Sequence, residues 1–104
     1  MKRKELLEFN LNNQKYLLKA TRHFYKRVED RKIEIKKCIK SIMKITMNDF
    51  KQAQNSLEEF AIVDKEEGIT VIIYVDWREI RIVTGLKKTD CFFKKDTIVK
   101  TIAW

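Results

Sequence analysis

The chain has 104 residues, of which 44% are hydrophobic and 37% charged, and its formal net charge is +8. This length allows one domain with one hydrophobic core, and no apolar run approaches the ~20 residues of a membrane-spanning helix. The composition excludes a disordered chain, and acidic and polar residues interrupt the basic amino terminus before a signal-peptide core forms. We therefore expect a single domain, residues 1–104, that acts in the cytoplasm of its own cell or of a host cell.

The positive charge is concentrated in the first half of the chain. Residues 15–51 contain twelve Lys or Arg residues against four Asp or Glu residues, a surplus equal to the net charge of the whole chain. Residues 84–104 add five basic residues against two acidic ones. Such a distribution favours a polyanionic partner, most simply RNA, although a lysine-rich surface can also serve solubility alone.

The amino-terminal residues 5–19 are interpreted as a hairpin of two short extended segments. The turn would lie at Asn10–Asn13, because asparagine tolerates left-handed backbone angles without glycine. A helix is the alternative, since Leu6, Leu7, Leu11 and Leu18 can also form one apolar stripe.

Two helices are predicted next. The first lies within the stretch Ala20–Arg31 and begins after Thr21, its predicted N-cap, and acidic residues near its carboxyl end indicate that it stops by Arg31 or Lys32. The second spans Glu34–Ile45 and has the clearest helical periodicity in the chain. Its apolar stripe, read as core, consists of Ile35, Cys38, Ile39, Ile42 and Met43.

The remainder of the chain predicts one short helix and then an antiparallel meander. The helix would span Asp49–Leu57 with Thr46 or Asn48 as its cap. The predicted strands are Phe60–Val63, Ile69–Val75 and Glu79–Thr84, with Gly85 breaking or bulging the last of them and Cys91–Lys94 and Thr97–Ala103 forming a closing hairpin or a split strand. The predicted fold is α+β: an N-terminal hairpin and two to three helices packed on one face of a four-stranded antiparallel sheet.

Several kinds of chemistry have no support in the sequence. There is no P-loop and no dinucleotide fingerprint, and no Cys/His cluster has the spacing of a zinc site. Cys38 and Cys91 are expected to be free thiols in a chain without an export signal. Neither serine lies on a nucleophile elbow. We therefore expect neither a metal nor a cofactor.

One helical edge carries residues suited to phosphate chemistry. His23, the only histidine, is followed by Arg27 and Arg31 at four-residue intervals, which places the three side chains along one edge of the first predicted helix. Imidazole can transfer a proton near neutral pH, and guanidinium groups bind phosphate. Nearby cations, Lys26 among them, disfavour imidazolium and keep part of His23 neutral as a base. A lone helical histidine on an ordinary surface is the alternative.

The chain resembles the barnase–EndoU–colicin–RelE group of small ribonucleases. The resemblance rests on His23, Arg27 and Arg31 of an H-x-x-x-R helix, on the strands Thr70–Val75 and Glu79–Thr84, and on the sequence T-G-L-K-K that follows from Thr84. It implies metal-independent RNA cleavage, in which the helix faces polar and basic residues of the sheet across a cleft. The residues that it implies on the sheet side are Arg81, Thr84 and Lys87. Lys88, the last residue of this stretch, is a further candidate for substrate binding. A second histidine, present in several members of the group, is missing here.

Aromatic residues interleaved with cations offer a further RNA-binding feature. Tyr74 and Trp77 lie close in sequence to Arg81, a mixture that stacks bases and holds phosphates of single-stranded RNA. Trp77, at a predicted turn, is the best candidate for an exposed stacking residue. The alternative is that these aromatic residues belong to the core or to turns.

These observations predict an endoribonuclease of toxin type, with His23 as general base and Arg27 and Arg31 as phosphate ligands. Its partners would be RNA and a cognate inhibitor or host protein. The alternative is a non-catalytic regulator, phage-encoded, that binds nucleic acid or a host protein through its basic helices. A third hypothesis is a structural oligomer that associates through Ile69–Val75 or Val99–Trp104, so the oligomeric state is left open.

Overall fold

A computed structural model describes residues 3–11, 14–56, 58–77, 79–93 and 95–102. Within these ranges, residues 3–11, 14, 21–23, 47 and 56 are described by their backbone alone. The elements, in chain order, are β1 (Arg3–Leu11), β2 (Gln14–Thr21), α1 (Arg22–Asp30), α2 (Ile35–Met43), α3 (Met47–Ser56), β3 (Phe60–Asp64), β4 (Ile69–Asp76), β5 (Glu79–Leu86) and β6 (Ile98–Ile102). The predicted α+β class is confirmed.

The described strands form one six-stranded mixed sheet, in the order β1-β2-β5-β4-β3-β6. The pairs β1–β2, β3–β4 and β4–β5 are antiparallel, whereas β2–β5 and β3–β6 are parallel. The prediction of a four-stranded antiparallel sheet is therefore wrong in strand number and in direction. The N-terminal hairpin is part of the sheet, because β2 pairs with β5. The three helices after β2 carry the chain back across the sheet, as a parallel arrangement of strands requires.

The N-terminal hairpin itself is confirmed. Residues of β1 pair with β2 from Arg3 opposite Thr21 to Leu11 opposite Gln14, which excludes the helical alternative. Of the predicted turn Asn10–Asn13, the first two residues belong to β1, so the turn begins later than predicted. Asn12 and Asn13 lie outside the described residues. Thr21 is the last residue of β2, and its side chain, predicted as the N-cap of α1, is likewise not described.

The helices cover one face of the sheet, and the core lies between the two layers. From the helices it contains Phe24, Val28, Cys38, Ile42 and Phe50, and from the sheet Leu18, Ile62, Ile73, Ile80 and Ile82. Burial of the Cys38 thiol raises its pKa to about 11, so it is a packing residue and not a nucleophile. The periodicity of the predicted second helix is confirmed by α2, whose Cys38 and Ile42 are fully buried. Met43, predicted as core, is instead 45% exposed, because it is the last residue of the helix.

A capping box begins α3. The Thr46 hydroxyl accepts a hydrogen bond from the Asp49 amide at 3.3 Å, and the Asp49 carboxylate accepts one from the Thr46 amide at 2.8 Å. This reciprocal arrangement satisfies two amides that the helix itself cannot pair. Of the two predicted caps, Thr46 is thus the one used, and Asn48 lies inside the helix.

Gly85 lies within β5 and neither ends nor bulges the strand, so that expectation is wrong. Ile72 pairs with Thr84 and Ile73 with Ile82, which makes Val83 the extra residue of a bulge. A Cβ atom on Gly85 would lie 3.3 Å from Val28 Cγ1, so any larger residue there would press on the Val28 side chain of α1.

The segment between β5 and β6 does not form the predicted closing hairpin. Its described residues 91–93 have no strand structure, and Ile98–Ile102 alone pairs, in parallel, with β3. The Thr70 hydroxyl donates to the Lys88 carbonyl at 2.7 Å, which attaches the start of this segment to β4. Both cysteines are free, Cys91 being half-buried near Thr70. No helix among the described residues is long and apolar enough to cross a membrane.

Candidate nucleic-acid interface

The carboxyl end of α1 is closed by a Schellman motif. The Ile33 amide donates to the Val28 carbonyl at 2.8 Å, and the Lys32 amide donates to the Glu29 carbonyl at 3.1 Å. Lys32 occupies the left-handed position of the motif with φ of 57°, where glycine is the usual residue. The motif therefore fixes the backbone of a lysine at the corner between α1 and α2.

Arg31 joins this corner to the sheet. Its Nη1 atom donates to Thr84 Oγ1 at 3.1 Å and to the Gly85 carbonyl at 2.6 Å. Both protons of that nitrogen are used in these bonds. Two residues of the predicted site, Arg31 and Thr84, are thus brought together, but in a contact that fastens α1 to β5.

His23 and Arg27 lie one helical turn apart in α1. The His23 side chain lies outside the described part of the structure, so its predicted role as general base stays a prediction. Arg27 is half-buried and already takes part in an interaction within the protein. Lys26, on the same helix, is exposed.

Arg81 and Tyr74 lie on the sheet face opposite the helices. Their neighbours Ile80, Ile82 and Val75 are buried in the core beneath the helices, and side chains alternate between the two faces of a strand. The Arg81 guanidinium is 5.8 Å from the centroid of the Tyr74 ring. The expected cleft, in which Arg81 faces the His23 helix, is therefore not formed.

Acidic neighbours neutralise Arg81. It forms ion pairs with Asp76, at 2.9 Å, and with Glu79. Glu79 also pairs with Lys19 at 2.8 Å, and the hydrogen bond from Lys19, supported by that from Arg81, lowers the pKa of Glu79 to about 2. Because Glu79 precedes Arg81 by two residues on one strand, alternation alone could have indicated that pair.

Trp77 projects from the turn between β4 and β5. Asp76 at the end of β4 pairs with Glu79 at the start of β5, so the connection between them is two residues long, and residue 78 lies outside the described residues. The favoured two-residue hairpins need a positive φ at the first position, and Trp77 has φ of 59° with 72% of its surface exposed. Gln54 of α3 donates to its carbonyl at 2.6 Å. The expected exposure of Trp77 is confirmed.

A buried carboxylate orients α2 on the sheet. Asp64 is fully buried and accepts hydrogen bonds from the Ser41 hydroxyl at 2.7 Å, from Lys44 at 2.8 Å and from the amides of Glu66 and Glu67. Burial alone would raise the pKa of Asp64, but the hydrogen bonds, led by that of Lys44, outweigh it and lower the pKa below its ordinary value. Lys44 is therefore a structural residue.

Four lysines lie around the corner between α1 and α2. We call them the lysine surface, which consists of Lys32, Lys36, Lys37 and Lys87. None of the four joins an ion pair between described residues. Lys37 is half-buried and the other three are exposed. Lys40, next along α2, differs because it binds Glu67 at 3.2 Å.

Three of these lysines line one polar cavity of about 250 Å³, the lysine cavity. Lys32 comes from the corner after α1, Lys37 from α2 and Lys87 from the end of β5. The other lining residues are Ile33, Glu34, Glu67, Gly68 and Ile69. Since Glu67 is paired with Lys40, the carboxylate of Glu34 is the remaining acidic group there, and the cavity keeps a cationic surplus.

A second concavity, the tyrosine groove, lies between α1 and the start of α2. It has a volume of about 590 Å³ and is lined by Tyr25, Val28, Glu29, Ile33, Glu34, Ile35 and Lys36. The Tyr25 ring meets Phe24 edge-on, with centroids 5.8 Å apart and planes at 64°. No sequence signal places Tyr25 in a groove, because the groove exists only where α1 and α2 diverge.

The last two predicted ligands, Lys87 and Lys88, are neighbours in sequence but have different surroundings. Lys87 lines the lysine cavity, whereas the Lys88 carbonyl is bonded to Thr70 on the far face and its side chain is exposed. Within the described residues, no three His, Cys, Asp or Glu side chains are grouped as a metal ion would require.

Comparison with protein-family models, with curated proteins and with solved structures finds no match to this chain. The fold and the side-chain chemistry of the described residues are therefore the basis for a functional proposal.

Proposed function

We propose that this protein binds RNA through its lysine surface. The observation that supports this proposal is the contrast among its cations: Arg31, Lys40, Lys44 and Arg81 are held by acceptors within the protein, whereas the four lysines of the lysine surface are not paired with described carboxylates. An RNA backbone supplies the missing negative charges along a line, and flexible ammonium groups suit phosphate oxygens.

This contact predicts a definite salt dependence. If the four lysines neutralise four phosphates of a single strand, log K should fall with log salt concentration with a slope of about −3. Fluorescence anisotropy of a labelled RNA oligonucleotide, titrated at several salt concentrations, measures this slope. A slope near zero would contradict a phosphate contact.

A charge-reversal pair tests where the RNA binds. The double variant Lys36→Glu/Lys37→Glu should lose RNA affinity at least tenfold, because two contacts become repulsive. The matched control is Lys51→Glu/Lys95→Glu, which makes the same change in net charge at two exposed lysines outside the lysine surface. Equal losses in the two variants would mean that only the overall charge matters.

Metal-independent RNA cleavage is the second candidate function. It is favoured by the helix α1, which carries His23 and Arg27 one turn apart and packs against β5 beside the lysine cavity. In this proposal His23 is the base and Arg27 contacts phosphate, while Arg31 positions the helix. Incubation of RNA with the protein in EDTA, in parallel with His23→Ala, tests it; cleavage by neither protein, or by both equally, would refute it.

The two candidates imply different partners. A toxin-type ribonuclease would require a cognate inhibitor in the cell that makes it, whereas a phage-encoded regulator would act on host RNA or on a host protein. We place either activity in the cytoplasm, where the free thiols of Cys38 and Cys91 stay reduced.

A further inference from the structure

The tyrosine groove and the lysine cavity are two parts of one surface. Ile33 and Glu34 line both of them, the groove on one side and the cavity on the other. The Schellman motif fixes the backbone of Ile33, and Glu34 is the residue before α2. An apolar concavity with an aromatic wall therefore lies directly beside a cationic one.

The tyrosine groove suits a flat, largely apolar group. Its volume lies within the range of about 300–1,000 Å³ that small-molecule pockets occupy. Tyr25 is half-buried and its ring is held by the edge contact with Phe24, while Val28, Ile33 and Ile35 supply aliphatic surface. Aromatic rings and aliphatic walls of this kind bind the faces of nucleobases.

The lysine cavity suits a single phosphate group. Lys32, Lys37 and Lys87 approach it from three segments of the chain, and ammonium groups so placed can each donate to a different phosphate oxygen. Glu34 lies between the two sites and makes no capping hydrogen bond to α2. Its carboxylate can accept a hydrogen bond from a ribose hydroxyl or from a base amino group.

We propose that this surface holds one unpaired nucleotide of single-stranded RNA, with its base in the tyrosine groove and its phosphate in the lysine cavity. The inference rests on the proposed RNA binding and adds the substrate class to it. A duplex cannot be held in this way, because both faces of each base are covered by stacking. The protein should therefore prefer single strands, and the preference should depend on Tyr25.

Anisotropy titrations with three probes separate these possibilities. The probes are a labelled single-stranded RNA, the same strand in a duplex, and a single strand of equal length that carries abasic sites. The native protein should bind the first at least tenfold more tightly than the other two at the same salt concentration. The variant Tyr25→Leu should lose about 5- to 100-fold in affinity for the single strand and little for the duplex.

The matched control is Phe92→Leu, which shortens a fully exposed aromatic residue elsewhere and should leave all three affinities unchanged. Equal binding of the three probes, or an unchanged single-strand affinity in Tyr25→Leu, would overturn the inference while leaving RNA binding intact. Binding of none of the probes would refute both proposals.

A second measurement does not depend on how the variant folds. Uridine 5′-monophosphate, titrated into the native protein, should shift the amide NMR signals of residues 25–29 as well as those of residues 32–37. Inorganic phosphate should shift the second group alone. Shifts confined to the second group with both ligands, or no shifts with either, would overturn the inference.

Discussion

The buried carboxylate of Asp64 gives the sharpest test of how the helices are held on the sheet. Replacing it by asparagine keeps the shape and one carbonyl oxygen for the amides of Glu66 and Glu67. The Oδ2 acceptor that serves Ser41 and Lys44 becomes an amide donor, so the charge-assisted bond at 2.8 Å is lost. Hydrogen bonds to charged groups contribute about 1.5–3 kcal/mol. Lys44 keeps its pair with Glu66 at 3.0 Å, and we therefore expect Asp64→Asn to lower the free energy of unfolding by about 2–3 kcal/mol.

The effect should depend on pH with a definite sign. The pKa of Asp64 is lowered in the folded protein from its ordinary value of 3.8, so its stabilisation is complete above that value and is lost as the pH falls below it. Urea denaturation followed by far-UV circular dichroism, at neutral pH and near pH 3, measures both quantities. Asp96→Asn, at an exposed carboxylate, is the control. A loss no larger than that of the control, or one equal at both pH values, would refute the reasoning.

Five further variants, each measured by urea denaturation, test the corner between α1 and β5 and the start of α2. Arg31→Met should lower the free energy of unfolding by about 1–3 kcal/mol, and Thr84→Val, which removes one of the two acceptors, by less; equal losses would contradict the shared contact. Lys32→Gly should raise it by about 0.5–1 kcal/mol because it relieves the left-handed φ, whereas Lys36→Gly inside α2 should lower it by about 1 kcal/mol; a loss at both would argue against the motif. Gly85→Val should cost about 1–3 kcal/mol by overpacking, and an unchanged stability would contradict the close approach.

Local patterns predicted the elements well where each residue's neighbours in sequence decide its conformation. The apolar spacing of α2 and the alternation of β4 and β5 are of this kind, and so is the capping box at Thr46. The parallel pairs β2–β5 and β3–β6 join segments far apart in the chain. No local pattern encodes them, because a strand paired in parallel on one side has the same alternation as one in an antiparallel meander.

The bulge at Val83 shows the same limit on a smaller scale. Glycine often marks a break or bulge in a strand, so the sequence predicts one at Gly85. The extra residue of the bulge is instead Val83, two positions earlier. What glycine provides is space for α1, and that requirement comes from Val28, a residue of another element. The pairing of Arg31 with Thr84 and Gly85, more than fifty positions away, has the same origin in packing.

The candidate site shows why composition alone does not select among the cations. The net charge of +8 predicts a polyanion partner but does not say which lysines and arginines would meet it. Arg81 lies beside Tyr74, but its charge is paired with Asp76 and Glu79. Lys40 is paired with Glu67 of the β3–β4 turn, and Lys44 with Asp64 at the end of β3. When these internal pairs are subtracted, other exposed lysines such as Lys51 and Lys95 also have no pair between described residues. What distinguishes the lysine surface is that three of its four lysines line one cavity. This surface lies where α1 ends and α2 begins, next to Tyr25, whose ring lines the tyrosine groove, which is the reason to look for a single nucleotide there instead of a duplex.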